Sequence, residues 1–470
     1  MTDFSQDDAR PVRKPNVEGY RNVAAIVLAL SIMQTAAGAL SVVGPLSLMA
    51  SGASTLKIGT IVSGYAFGFL LGAYFAPKEI RRIGHIRAVA AFAGITSVAA
   101  AALYVSDALA WWLIMQFIMG TCVAGFLASG ESWVADAAPS DSRGAILSFY
   151  LVAAKIGFIL GPFLVASVPP GAAVGFMIVA ALYTASLIPA SATNRAQPAP
   201  PSAEPYSPTK IWHTAPSAVI AVLCAGLVNG AIMQLYAVYV SDMTTGSAAR
   251  MAAVFSAFMV GGGVLAQWPA GIISDRIDRR IVIAALALIA GIAALLLGLL
   301  TGILPLIGIF AIAGILGAGA QSYYGVAAAH ATDRADEGQA TNTMSGIITI
   351  YATGTIAGPI LAGATMSLVG GRGLFLYSAV VLFALAGAMI YRRTDTPPVQ
   401  DFEKSDFEPV SATSASVYEL TEVGSEEAED IAEDPADAMA DSGIVLDEED
   451  DLDETSLDDD EDDPDGYWRS

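Results

Sequence analysis

Twelve long apolar runs restrict the fold of this sequence more than any other feature. Each has about 20 residues or more, the length of helix that crosses the hydrocarbon core of a bilayer. Only 14% of the residues are charged, and these gather between the runs and at the C-terminus. The pattern predicts an all-α membrane protein with twelve transmembrane helices, here called spans one to twelve. Their predicted limits are 23–49, 55–77, 86–105, 108–135, 143–167, 171–190, 216–241, 248–273, 281–301, 303–330, 339–368 and 371–391.

The spans form two groups of six that repeat each other. Gly157 to Pro162 in span five matches Gly354 to Pro359 in span eleven, with both glycines and the proline kept. The charged turn after span two matches the charged turn after span eight at nearly the same separation, which indicates an internal duplication. The predicted organisation is an N-terminal segment at 1–22, a bundle at 23–190, a proline-rich linker at 191–215, a second bundle at 216–393 and a tail at 394–470.

Basic residues predict the orientation in the membrane. Seventeen lysines and arginines lie on the side that carries both termini, and three, Lys57, Arg250 and Arg372, lie on the other side. Cytoplasmic loops of membrane proteins carry the excess of basic residues. Both termini are therefore expected in the cytoplasm.

The tail from Thr394 onward differs in composition from the rest of the chain. It holds 29 of the 45 acidic residues and two basic ones, Lys404 and Arg469, so the body before it is slightly basic. A segment this acidic and this poor in aromatic residues is typical of a solvated disordered tail. A tail that binds a partner or senses cations is the alternative.

The turn between spans eight and nine carries a resemblance to a known family. It matches five of the six fixed positions of the loop G-x3-D-[RK]-x-G-[RK]-[RK], with Asp278 where glycine is usual. With twelve spans in two sixes and a central linker, the chain resembles the major facilitator superfamily over about residues 20–393. Glu131-Ser132-Trp133 and the segment His330 to Arg334 resemble the bacterial YcaD-like branch. The matching residues of the loop are Gly271, Asp275, Arg276, Arg279 and Arg280.

The resemblance implies a multi-pass protein of the bacterial inner membrane that transports a small molecule by alternating access, with proton coupling as a further hypothesis. The expected partners are the substrate, protons if that hypothesis holds, and the lipid bilayer, with no nucleic acid. A transporter-like receptor or scaffold that acts through the acidic tail is the alternative. No nucleophile elbow, phosphate loop or zinc-ligand spacing is present in the sequence, so no enzyme, cofactor or metal site is expected.

The charged turns are expected to form inner gates. The resemblance implies that Asp275, supported by Arg276 and Arg280 and by the small Gly271, contacts Arg143 at the start of span five when the transporter faces outward. In the first half, Arg81 stands where the family has its aspartate. We therefore expect Arg81 and Arg82 to face the acids at the start of span eleven, Asp333, Asp336 and Glu337. The alternative is that these charges only hold the loops at the membrane surface.

Polar residues recur at mid-depth on spans one, four, seven and ten. The resemblance implies that these spans line a central cavity, although amides inside a bilayer also join helices by hydrogen bonds. The candidate substrate-binding residues are Gln34, Gln116, Asn229, Gln234, Gln321 and Tyr324.

Two charged residues lie within spans, Glu131 in span four and Lys155 in span five. Charged side chains in the membrane face the protein interior and are functional candidates. Glu131 is a candidate proton carrier, with a substrate or structural role as the alternative. Lys155 is predicted either to bind an anionic group or to act as an internal counter-ion, and the sequence leaves the choice open.

Overall fold

The computed structural model describes residues 17–138, 143–191, 208–243, 246–335 and 339–395. Within these ranges the regular secondary structure is helical, and twelve helices are long and apolar enough to cross a membrane. Most of the N-terminal segment, much of the linker and the acidic tail lie outside the described residues. The predicted twelve-helix fold is confirmed. The spanning helices are Val17–Ala50, Thr55–Ile83, His85–Ala102, Leu109–Ala137, Arg143–Leu164, Ala173–Ala185 with its continuation Leu187–Ser191, Pro216–Met243, Ala248–Arg276, Arg279–Leu300, Leu306–Thr332, Ala340–Val369 and Gly373–Asp395.

Successive spans run in opposite directions, which defines two faces. We call the face at which span one begins and span twelve ends the basic face, since the arginine-rich turns after spans two and eight lie there. The opposite face carries the short turns after spans one, seven and eleven.

The two charged turns of the basic face reverse the chain by different means. Gly84 ends span two with φ of 84°, a left-handed conformation that only glycine adopts without strain. Its counterpart Asp278 has φ of −58° and caps span nine, accepting a hydrogen bond from the Arg280 amide at 3.0 Å. The second turn therefore needs no glycine, which explains the departure from the family pattern at Asp278.

Repeated glycines bring helices into backbone contact within each half. A Cβ atom at Gly157 or Gly161 of span five would strike backbone carbonyl oxygens of span one, at Ser31 and Thr35. In the second half, Gly354 and Gly358 of span eleven lie equally close to the backbone of span seven. Small residues allow such close approach in membranes. The repeated glycines therefore act in helix packing.

The two six-helix bundles meet through spans two and eleven, five and eight, and one and seven. Among the described residues, side-chain hydrogen bonds between the bundles lie between mid-depth and the opposite face. Near that face, Thr55 donates to the Gly363 carbonyl and Ser247 to the Ala166 carbonyl, each at 3.0 Å. Deeper in the bundle, Ser63 donates to the Ile356 carbonyl at 2.7 Å.

We expect Gly161→Ala to destabilise the protein by about 1–3 kcal/mol, because the added methyl group overpacks a backbone contact with Thr35 and Ala39. Thermal unfolding in detergent measures the effect. Gly94→Ala is the matched control, since a Cβ atom there meets nothing within 4 Å, and its effect should be within about 1 kcal/mol and stabilising. Equal losses in both variants would show that the contact does not matter.

Candidate functional site

A buried arginine organises the turn between spans eight and nine. The Arg279 side chain is 1% exposed, and its guanidinium donates to both carboxylate oxygens of Asp333, at 2.6 and 3.2 Å. It also donates to Asp275 at 3.2 Å and to the Ser274 hydroxyl at 3.2 Å. Arginine suits such a site because its planar fork matches a carboxylate in two places. The end of span eight, the start of span nine and the end of span ten are thereby tied together.

A second buried arginine lies beside it. Arg280 is 1% exposed, forms an ion pair with Asp278 at 2.9 Å and donates to the Arg392 carbonyl at the end of span twelve at 3.1 Å. Burial acts to raise the pKa of the Asp278 carboxyl, but two hydrogen bonds and the charge of Arg280 outweigh it and hold that pKa below its usual value. Asp278 therefore remains ionised and neutralises Arg280 at physiological pH.

The corresponding turn of the first half is built differently. Arg81 and Arg82 are exposed, and Arg82 pairs weakly with Glu79 at 3.6 Å. The repeat places His85 where the second half has Arg279 and Asp136 where it has Asp333. His85 is 2% exposed and packs against Trp133, with ring centroids 6.5 Å apart. An imidazole thus takes the place of a permanent cation.

The structure describes part of the predicted gates. Asp275 is joined to Arg279, whereas Arg276 is exposed and Gly271 is buried in span eight. Asp333, which the sequence assigned to the gate of Arg81 and Arg82, pairs with Arg279. The side chain of Arg143 and the whole of Asp336 and Glu337 lie outside the described residues, so both gate contacts stay predictions.

Arg279, the residue that joins these helices, was left out of the gate by the sequence analysis. It is one of the fixed basic positions of the turn, so a signal was present. Its partner Asp333 lies 54 residues away in the chain, and only the packing of span nine against span ten brings the two together.

At mid-depth, Lys155 and Gln321 link the two bundles. The Lys155 ammonium donates to the Gln321 side-chain oxygen at 3.4 Å. The amide nitrogen of Gln321 donates in turn to the Met259 carbonyl of span eight at 3.2 Å, and Gly263 of span eight lies against the Gln321 side chain. Two neighbouring helices therefore fix the amide with its oxygen towards the first half.

The other polar candidates have varied surroundings. Asn229 donates to the Ala320 carbonyl at 3.1 Å, so its amide joins spans seven and ten. Tyr324 is 5% exposed and its ring lies 4.8 Å from that of Tyr351 of span eleven. Gln116 is 4% exposed, whereas Gln34 and Gln234 are half-buried.

Glu131 is fully buried in span four and is bound by a residue of span five. The Tyr150 hydroxyl donates to a carboxylate oxygen of Glu131 at 2.6 Å, a short charge-assisted hydrogen bond. Lys155, one and a half turns further along span five, bonds to Gln321 instead. The structure therefore places the two charges of the spans in separate interactions.

Comparisons with known proteins agree with this architecture. The model of the Major Facilitator Superfamily matches residues 26–246 and 218–426. An uncharacterized MFS-type transporter of Enterobacter sp. strain 638 is 24% identical, covering 77% of this chain and 94% of its own length. The transporter YcaD of Salmonella enteritidis PT4, also uncharacterized, is 25% identical and covers 80% of this chain and 97% of its own.

Two solved structures share the fold at low sequence identity. A bacterial homologue of the human lysosomal transporter Spinster, in an inward-facing and unoccupied conformation, has a TM-score of 0.67 at 13% identity and covers 83% of this chain and 99% of its own. The nucleoside transporter NupG has a TM-score of 0.65 at 11% identity, with 79% and 98% covered.

Twelve spanning helices in two repeated bundles, with a polar layer where the bundles meet, define a membrane transporter. The chain belongs to the Major Facilitator Superfamily. Within that family its resemblance to the YcaD-like branch is confirmed by the relatives above.

Asp333→Asn should destabilise the protein by about 3–5 kcal/mol, because it leaves the buried Arg279 charge poorly neutralised. Asp275→Asn should cost about 1 kcal/mol or less, since the Asp275 side chain is 29% exposed and its ion pair with Arg279 is partly screened by water. Thermal unfolding of the purified variants tests the order, with the exposed first-half counterpart Asp136→Asn as the control. A larger loss in Asp275→Asn than in Asp333→Asn would contradict this account.

Asp278→Asn should cost about 1–3 kcal/mol at neutral pH, because Arg280 loses its charged partner. A carboxyl with a lowered pKa stabilises the fold above its unfolded pKa, and this contribution disappears as the pH falls through the folded value. The difference in thermal midpoint from wild type should hold from pH 8 to about 5 and shrink below about pH 4. The exposed Asp107→Asn is the control, and a difference that grew in acid would refute the assignment.

Proposed function

We propose that this protein is a secondary transporter that moves a small molecule by alternating access between its two bundles. The position of the contacts between the bundles carries the proposal. They run from Lys155 at mid-depth to Thr55 and Ser247 at the opposite face. These contacts hold the two bundles together between mid-depth and the opposite face. They support a form of the carrier that is closed at the opposite face and open at the basic face.

The basic face is the cytoplasmic one in this proposal, since positively charged loops stay inside. The protein then lies in a bacterial inner membrane with both termini in the cytoplasm, and the position of the contacts between the bundles supports an inward-open form. The moving bodies are the segments 23–190 and 216–393, joined by the linker 191–215.

Closure of the basic face would bring the inner gates together. Asp275 would meet Arg143 and the exposed amides at the start of span five, a favourable site for a carboxylate. Arg279 supports this step, because its buried bond to Asp333 holds the end of span eight in position. Arg276 and Arg280 would flank the contact beside Gly271. The second gate would join Arg81 and Arg82 to Asp336 and Glu337 across the mouth.

The substrate would bind at mid-depth, where both bundles contribute polar groups. Lys155 and Gln321 lie at this level in contact with each other across the bundles. A binding site at the junction is accessible from either side as the bundles rock. The remaining residues proposed to line it are Gln34, Gln116, Asn229, Gln234 and Tyr324.

Proton coupling would use Glu131. This carboxyl is 0% exposed, and its hydrogen bond with Tyr150 joins spans four and five. Protonation would remove the negative charge that holds the Tyr150 hydroxyl at 2.6 Å and so change the contact between the two spans. Loading and release of one proton would then bias the two forms of the carrier.

Spin-label distances test alternation without knowledge of the substrate. One labelled pair replaces Ser54 and Leu368 at the opposite face, and the other replaces Arg82 and Arg276 at the basic face; all four side chains are exposed. We expect each labelled pair to show one short and one long distance. When the distance at one face is short, the distance at the other face should be long. The populations of these two forms should shift between pH 8 and pH 5. Fixed distances in both pairs would exclude alternating access.

Glu131→Gln separates the proton hypothesis from alternation itself. The variant keeps the size of the side chain but cannot ionise. The populations of the two forms should therefore stay, at every pH, at the values that wild type has when Glu131 is protonated. Glu79→Gln, a change of the same kind at a partly exposed acid, is the control and should respond to pH as wild type does. A normal pH response in Glu131→Gln would exclude Glu131 as the proton carrier.

A further inference from the structure

The positive charge of Lys155 has a different kind of partner from those of the buried arginines Arg279 and Arg280. It lies near the middle of span five and is half-buried. Its contact is the neutral oxygen of Gln321 at 3.4 Å, a long hydrogen bond. In the part of the chain that the structure describes, Lys155 forms no ion pair with a carboxylate. This favours the anion-binding role over the internal counter-ion, the two alternatives that the sequence had left open.

A cation at this depth needs compensation. Moving a charge from water into a membrane protein is costly unless a partner of opposite charge or several hydrogen bonds replace the water. One amide oxygen at 3.4 Å replaces little of it. Arg279, by comparison, has two carboxylate partners, Asp275 and Asp333. Since the described residues place no carboxylate beside Lys155, an anion from outside the protein can take that position.

The second bundle offers further groups on the same helix face. Tyr324 lies one turn after Gln321 on span ten, a spacing that places both side chains on one side of the helix. Tyr324 is 5% exposed, and its hydroxyl has no hydrogen-bond partner among the described residues. Buried polar groups are normally satisfied, so this hydroxyl is available to bond to a ligand that reaches Gln321. The adjacent ring of Tyr351 adds apolar surface.

We propose that Lys155 is the counter-charge for a small organic anion with one negative group, bound between span five and span ten. The anionic group pairs with Lys155, Gln321 and Tyr324 supply the hydrogen bonds, and the tyrosine rings contact the carbon skeleton. Because Lys155 supplies one positive charge at this depth, we expect the ligand to carry one negative charge. This proposal rests on the transporter function above and names the chemical class of its substrate.

Thermal stability of the purified full chain tests the class of ligand. The probes are two small-molecule fractions of bacterial cytosol, one retained by an anion-exchange resin and one that flows through it. A ligand that binds only the folded state raises the unfolding temperature. We expect the retained fraction to raise it by about 2–4 °C and the flow-through to leave it unchanged. No shift with the retained fraction, or an equal or larger shift with the flow-through, would overturn the proposal.

Two variants test Lys155 itself. Lys155→Met removes the charge at similar length, and Gln321→Glu supplies a fixed internal carboxylate at the same place. We expect both to unfold at a higher temperature than wild type without ligand and to lose the response to the retained fraction. Lys57→Met, at the opposite face, should keep the response. A lower unfolding temperature in Lys155→Met would show that Lys155 and Gln321 are a structural latch and would exclude the ligand role.

The outcome is separable from that of the transport proposal. If the spin-label pairs alternate but only the flow-through stabilises the protein, the chain is a carrier of another kind of substrate and the anion proposal is wrong. If the pairs keep fixed distances, alternating access fails whatever the stability measurements show.

Discussion

The buried ion pair between Arg279 and Asp333 holds the basic face of the second bundle together. Its two hydrogen bonds join the start of span nine to the end of span ten, and the additional bond to Asp275 includes span eight. The neighbouring Arg280 extends the connection to span twelve through the Arg392 carbonyl. A charged turn that would otherwise be a loose hairpin is thus part of a rigid body, which a rocking mechanism requires.

The two bundles repeat in fold but not in chemistry. In the second, permanent cations with buried carboxylate partners occupy the turn; in the first, His85 takes the position of Arg279, and the arginines are exposed. The difference extends to the backbone, where Gly84 adopts a left-handed turn and Asp278 a helix cap. At the first turn the His85 ring packs against Trp133, whereas the second turn contains the ion pairs of Arg279 and Arg280.

Hydrophobic length made the twelve spans predictable, because a bilayer requires about 20 apolar residues for each helix. The repeat of Gly157 and Gly354 indicated the duplication, and the structure adds their close backbone contacts. The pairing of charged side chains could not be predicted from the sequence. The sequence placed Asp333 opposite Arg81 and Arg82, whereas it pairs with Arg279, because charge alone does not distinguish one arginine from another when helix packing decides which is within reach. Lys155 was found from its depth, but its neutral partner on span ten required the structure.

Arg279 and Lys155 differ in how the protein neutralises their positive charges. Arg279 is buried and Lys155 is half-buried, and both donate to residues of the second bundle. One is neutralised within the protein and holds helices together, as a structural charge must. Among the described residues the other meets an amide, although a single change at Gln321 would have given it a carboxylate. A chain that neutralises the cation holding its helices together, but places an amide rather than a carboxylate beside the cation between its two bundles, has the electrostatics that an anion-binding site requires.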